Sequence, residues 1–196
     1  MAIFAIGDLH LSLGTDKPMD VFPGWEGYLP KLEANWRRLI SPEDTVLLAG
    51  DTSWAMNLNG TRADFAYIQS LPGQKWLMKG NHDYWWTTTR KMETFLAANG
   101  FDSLHILHNN ACIVGDTALC GTRGWPFDDL AAQGEKLMAR EAGRLRMSLQ
   151  AAGNGVLFAL ALESGVDGGF EGLRVNRELQ FGHALFELFT GNQFHL

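Results

Sequence analysis

Three short apolar runs in this chain each stop at a glycine that is followed by side chains able to hold a metal ion. Ile3-Phe4-Ala5-Ile6 leads into Gly7-Asp8-Leu9-His10. Thr45-Val46-Leu47-Leu48-Ala49 leads into Gly50-Asp51-Thr52, and Lys75-Trp76-Leu77-Met78 leads into Gly80-Asn81-His82-Asp83. Between them the apolar spacing is helical. Leu32, Trp36, Leu39 and Ile40 share one face of a helix expected over about 30–40. Phe65 and Ile68 mark a second helix, beginning near Thr61. Strands alternating with helices predict a parallel α/β sheet. In open sheets of that kind ligands collect beyond the carboxyl ends of the strands, so the three polar ends are predicted to converge.

The rest of the chain supplies two further features. A helix over about 88–98, closed by Asn99-Gly100, leads to a fourth strand near 104–107. Then Ala111-Cys112-Ile113-Val114 and Thr117-Ala118-Leu119-Cys120 flank Gly115-Asp116, a two-residue hairpin pattern that predicts a second, antiparallel sheet. Thr61, with Asp64 three residues on, has the spacing of a capping box. Phe22 and Trp25 are expected to pack the loop over 11–27 onto the domain. A long helix over about 130–152 carries Met138, Ala142, Leu145 and Leu149 on one face. A strand over 156–162 and a short helix over 184–189 are expected beyond it, with Gly165, Gly168, Gly169 and Gly172 between them. No repeat or linker divides the chain, which reads as one domain over 1–196.

Composition narrows the class. Apolar residues make up 46% and charged residues 19%, as in a globular domain. A net charge of −6 argues against a groove for nucleic acid, yet leaves room for a phosphorylated substrate if bound ions supply positive charge. No apolar run is long enough to cross a bilayer, and the chain passes from Met1 into a strand without a basic stretch or cleavage site. With Cys112 and Cys120 the only cysteines, and expected as core filling, a reducing, cytoplasmic setting is expected.

The residue types at the strand ends suit metal chemistry. Asp8 and His10 lie two apart, so at a strand end they point to one side and reach one ion together. Asp51 has two carboxylate oxygens and can bridge two ions. The Asn81 oxygen can serve a second ion without adding charge. Mixed nitrogen and oxygen ligation of this kind suits Mn, Fe, Zn or Ni. Two such ions about 3.5–4 Å apart clamp a phosphoryl group and activate water. His82, beside the pair, suits protonation of a leaving oxygen or stabilisation of charge on the phosphoryl oxygens. Arg123 suits a substrate phosphate or a surface ion pair. Trp85 and Trp86 line a pocket or fill the core, core being the commoner fate. His105 and His108 read as packing residues, His195 as exposed, and Asp128-Asp129 as a solvated loop.

In order and spacing, Gly7-Asp8-Leu9-His10, Gly50-Asp51 and Gly80-Asn81-His82-Asp83 resemble the first three motifs of the calcineurin-like metallophosphoesterases. Ala49 to Met56, Lys79 to Trp86 and Gly121 to Trp125 look like one bacterial branch of predicted phosphohydrolases. The resemblance implies a two-sheet αββα sandwich and a dinuclear metal site, and the tail's departure from the family leaves the second sheet complete or incomplete in this chain. It implies Asp8 and His10 on the first metal, Asp51 bridging, Asn81 on the second, His82 as the catalytic histidine, and Asp83 as the residue that orients it. It implies hydrolysis of phosphomonoesters or phosphodiesters by hydroxide held on the metals.

The resemblance runs to about residue 152. Where the fourth motif should place a histidine, the chain reads Leu157-Phe158-Ala159-Leu160-Ala161-Leu162. Of the fifth motif, Gly-His-x-His, only Gly182-His183 remains, which makes His183 the tail's candidate metal ligand. A tail over 153–196 that has diverged or shifted reading frame accounts for the change of wording. Two functions stay open at this point. One is a metal-dependent phosphoesterase acting on a small phosphorylated substrate. The other is a degenerate relative that binds metal, phosphate or a partner. An incomplete second sheet would leave an apolar face to be covered otherwise, for which a homodimer or loose packing of the tail is expected.

Overall fold

The computed structural model describes residues 1–123, 130–153 and 157–161, with the side chains of 130–138 and 157–161 outside the description. The first sheet contains β1 (Ile3–Ile6), β2 (Thr45–Leu48), β3 (Gln74–Leu77) and β4 (Leu104–Ile106), parallel and in chain order. The connections run through α1 (Tyr28–Leu39), α2 (Arg62–Ser70) and α3 (Thr89–Ala98). Crossovers between parallel strands share one hand. With strands in chain order, all three helices therefore fall on one face of the sheet. Leu32, Trp36, Phe65, Ile68, Met92 and Leu96 from the helices pack there against Ile6, Val46, Leu48, Leu77 and Ile106.

Strand residues alternate between the two faces. Ala5, Leu47, Met78 and Leu107 thus form a second core, with Cys112 and Val114 of β5 (Ala111–Val114) and Leu119 of β6 (Thr117–Gly121). β5 and β6 form the expected hairpin, Val114 opposite Thr117, with Gly115 at a φ of 62° in its turn. β7 (Leu157–Ala161) joins β6 in parallel, so the second sheet has three strands among the described residues. Beyond it, α4 (Leu130–Ala151) places Leu149 and the adjoining Ala152 against Ala118 and Cys120. The layers are helices, sheet, sheet, helix, as expected of an αββα sandwich.

Four sequence expectations change. Thr61 makes no side-chain cap to α2, because the Leu58–Thr61 3₁₀ turn runs directly into that helix and is capped by the Asn57 side chain. Asp64 is freed from capping and fully buried. Ala142 is exposed, and α4 turns Glu141 and Ser148 inward instead. The Ser148 hydroxyl accepts from the Gly121 amide at 2.9 Å and donates to the Asn110 carbonyl, which docks the helix by polar contacts that apolar spacing does not register. Phe22 is half exposed, and Trp25 alone of that pair packs, against Tyr28 and His10. The tail, with His183 and His195, and the loop holding Trp125 and Asp128-Asp129 lie outside the described residues.

Lys75 is buried under the helix layer, its ammonium donating to the Leu71 and Gly73 carbonyls just beyond α2, at 2.6 and 2.9 Å. Burial lowers its pKa from 10.5 to about 8. Between those values the unfolded chain holds a proton that the folded chain has released, so stability rises with pH across that window. The stability difference between wild type and Lys75→Met is expected to shift in favour of wild type by up to about 3 kcal/mol from pH 8 to 10.5. Urea unfolding at several pH values measures it. Parallel pH profiles for the two proteins would mean that the ammonium keeps an ordinary pKa.

Candidate metal centre

The carboxyl ends of β1 and β2 are laced together beyond their last paired residues. The Asp8 amide donates to the Gly50 carbonyl (3.1 Å), His10 to Asp51 (2.9 Å) and Leu11 to Thr52 (3.0 Å), and Trp54 donates back to Leu11 (2.9 Å). The backbone enters the left-handed region at three of these positions, with φ of 56° at Asp8, 44° at His10 and 48° at Asp51. Asp and His tolerate that region better than most residues, but each still costs roughly 1–3 kcal/mol and persists only where its surroundings over-determine it. Strain of this kind concentrates at functional sites.

The three strained residues are the ones whose side chains converge. One ligand atom from each of Asp8, His10 and Asp51 lies within 4.8 Å of the others. His10 Nε2 is 3.6 Å from Asp8 Oδ1 and 4.0 Å from Asp51 Oδ2. Asp51 forms the buried floor, while the Asp8 side chain, 63% exposed, opens to solvent. Burial pushes the Asp51 carboxyl above its ordinary range and the Asp8 charge pushes the same way, against the His82 amide and the two imidazoles. A cation favours the ionised carboxylate at such a place.

The loop after β3 closes the other side. The His82 amide donates to Asp51 Oδ1 at 2.7 Å, and Gly80 packs directly on Asp51, which brackets Asn81 between two residues touching that carboxylate. The His82 ring centroid is 6.0 Å from that of His10 and 5.2 Å from that of Trp54. Asp83 is fully buried beneath. It accepts from the Thr52 amide (2.9 Å), the Ser53 amide (3.4 Å), the Gly80 amide (2.8 Å) and the Trp85 indole (2.8 Å). Burial pushes its carboxyl up to about 6 in spite of those donors. Three of these four bonds come from loop amides of the second and third strand ends and one from the Trp85 indole, so Asp83 ties those two loops together.

Trp54 was given no role by the sequence, yet its ring stacks on His10 at 4.8 Å and 19°. Its indole donates to the Met19 sulfur at 3.2 Å, and the Tyr28 hydroxyl donates to the His10 carbonyl at 3.4 Å. Only the fold brings the two together: Trp54 follows Ser53, which bridges to Leu11, the neighbour of His10. Trp85 is core, Trp86 packs against the same core, and His105 stacks on Trp76 at 4.8 Å.

The family described as calcineurin-like phosphoesterase matches residues 1–142, a span holding all six strand-end candidates from Asp8 to Asp83. The chain belongs to the calcineurin-like phosphoesterase family. Comparison with curated proteins gave no match. One similar solved structure is a protein of unknown function from Aquifex aeolicus. It is 16% identical, with a TM-score of 0.43, over 83% of this chain and 90% of that one.

Calcineurin-like phosphoesterases use divalent metals, and the donor set of this member fits such ions. Two carboxylates and an imidazole give oxygen and nitrogen ligands with no thiolate among them, as Mn, Fe, Zn and Ni accept. Among the described residues no helix is long and apolar enough to cross a membrane.

Proposed function

We propose that this chain hydrolyses small phosphomonoesters or phosphodiesters at a dinuclear metal centre, in the cytoplasm. The observation that carries the reading is the convergence of Asp8, His10 and Asp51 on strained strand ends, with His82 beside them. In this reading Asp8, His10 and Asp51 hold one ion. Asp51 and Asn81 contribute to the second, with His183 as the tail's candidate ligand. Metal ions bound there would polarise the phosphoryl oxygens and lower the pKa of water. Asp51, fixed by the His82 amide, sets the floor on which the phosphoryl group is oriented. His82, beside the three ligands on the β3 loop, gives a proton to the leaving oxygen.

Charge supports an anionic substrate. His108, at the end of β4, has its pKa lowered by burial and then by Arg144, Lys79 and Arg123. Basic side chains thus lie near the end of β4, Arg144 among them in an ion pair with Glu141, in a chain whose net charge is −6.

The test combines metal content with turnover. Protein loaded with Mn²⁺ and desalted is expected to retain two ions per chain by elemental analysis and to cleave p-nitrophenyl phosphate or its diester. In His82→Ala, turnover is expected to fall by about 10²–10⁴-fold with metal content unchanged, the range for loss of a positioned proton donor. Unchanged turnover would remove that role from His82. The second reading, a degenerate relative, is favoured by one observation: β7, the strand after the long helix, carries only Leu, Phe and Ala. One ion or none per chain, with no hydrolysis, would establish it.

A further inference from the structure

We propose that Asp64, acting through Ser53, is a positioning residue that holds the metal-ligand loops in their strained conformation. The proposal rests on the metal-site reading above. Asp64 lies in the first turn of α2, but its bonds leave that helix. Oδ1 accepts from the Leu13 amide at 2.7 Å, Oδ2 accepts from the Ser53 hydroxyl, and the Gly14 amide adds a further donor. Leu13 and Gly14 follow His10 by three and four residues, and Ser53 follows Asp51 by two. One buried carboxylate therefore ties the β1 loop to the β2 loop.

The tie continues to the third loop. The Ser53 amide donates to Asp83, whose carboxylate also holds Gly80 next to Asn81. Asp64, Ser53 and Asp83 thus form an alternating chain of carboxylate, hydroxyl-amide and carboxylate under the three ligand loops. The Ser53 hydroxyl in turn accepts from the Ala55 amide at 3.1 Å, which fixes its direction. Left-handed Asp8, His10 and Asp51 need an outside force to stay as they are. Hydrogen bonds to an ionised acceptor are the strong ones, and amides gripped by a carboxylate resist rotation more than amides in water. A mere helix cap would not explain why Asp64 is fully buried and turned away from its own helix.

Asp64→Asn keeps the shape and removes the charge and one acceptor. Ser53→Ala removes the middle hydroxyl alone. Ile68→Val, on the same helix, supplies a core change that leaves the brace intact. Mn²⁺ is titrated into each metal-free protein by calorimetry, and backbone hydrogen exchange is followed over residues 8–14. Both brace variants are expected to bind Mn²⁺ about 10–100-fold more weakly, as when support behind a metal ligand is lost, and to exchange faster over 8–14. Ile68→Val is expected to match wild type in both. Wild-type affinity and exchange in the brace variants, or an equal loss in Ile68→Val, overturns the proposal. Should Asp64→Asn not fold, Ser53→Ala decides alone. Wild type that binds no Mn²⁺ overturns the metal reading. Exchange over 8–14 then decides the brace by itself, faster in the variants if it holds and unchanged if it does not.

Discussion

Asp51→Asn is expected to abolish metal binding and, at the same time, to raise the melting temperature of the metal-free protein. The two effects come from one carboxylate. It is buried, lies near Asp8 and His10, and is pushed above its ordinary pKa first by desolvation. Ionised and without a cation it costs stability. An asparagine of the same shape can still accept from the His82 amide, which now donates at 2.7 Å. The apo fold therefore keeps its hydrogen bond and loses a charge, the usual exchange of function for stability at a site. Mn²⁺ affinity is expected to drop by more than about 100-fold, beyond the range for residues that only support a ligand, and hydrolysis with it. Calorimetric titration and melting in chelator measure the two effects. Affinity within tenfold of wild type would mean that Asp51 is not a ligand.

The second large effect is expected at Gly80. A Cβ added there would land on the Asp51 backbone nitrogen and on Asp51 Oδ1. Neither atom can swing away, because Oδ1 is held by the His82 amide and the Gly80 amide is itself held by Asp83. Gly80→Ala is expected to cost about 3 kcal/mol, the upper part of the overpacking range, and to lose tight Mn²⁺ binding by displacing Asp51. Gly7→Ala provides the contrast, since a Cβ there meets only the Ala49 Cβ at an ordinary 3.6 Å. Urea unfolding of both variants beside wild type measures the costs. Equal costs at Gly7 and Gly80 would mean that the β3 loop yields and Asp51 is not pinned by it.

The first sheet and its ligand ends were legible because local chemistry and global placement agree there. A short, mainly apolar run, a glycine and a polar ligand recur three times, and each recurrence became a strand end at the carboxyl edge of one sheet. Asp64 was misread for the opposite reason. An acid in the first turn of a helix has a local partner by pattern, and only the folded chain brings Leu13 and Ser53 to it from 51 and 11 residues away. The inward face of α4 was misread because Glu141 and Ser148 are polar, and apolar spacing then favoured Ala142, which is exposed. Trp54 went unassigned because a lone aromatic in a loop has no periodicity to mark its neighbour.

Strand order that copies chain order has a bearing on synthesis. Each strand of the first sheet pairs with the one made just before it, so no segment waits for a distant partner. The pairings Ile3–Thr45, Thr45–Gln74 and Lys75–Leu104 each span one crossover rather than the length of the domain, closure cost grows only slowly with that span, and a nascent domain can condense from its leading end as it emerges. Asp8, His10 and Asp51 all belong to the first two strand ends, and Asp64 follows thirteen residues after Asp51. A growing chain can thus gather its candidate ion-binding residues and Asp64 well before β5 leaves the ribosome. Metal captured at that stage would act as a nucleus for the rest of the molecule.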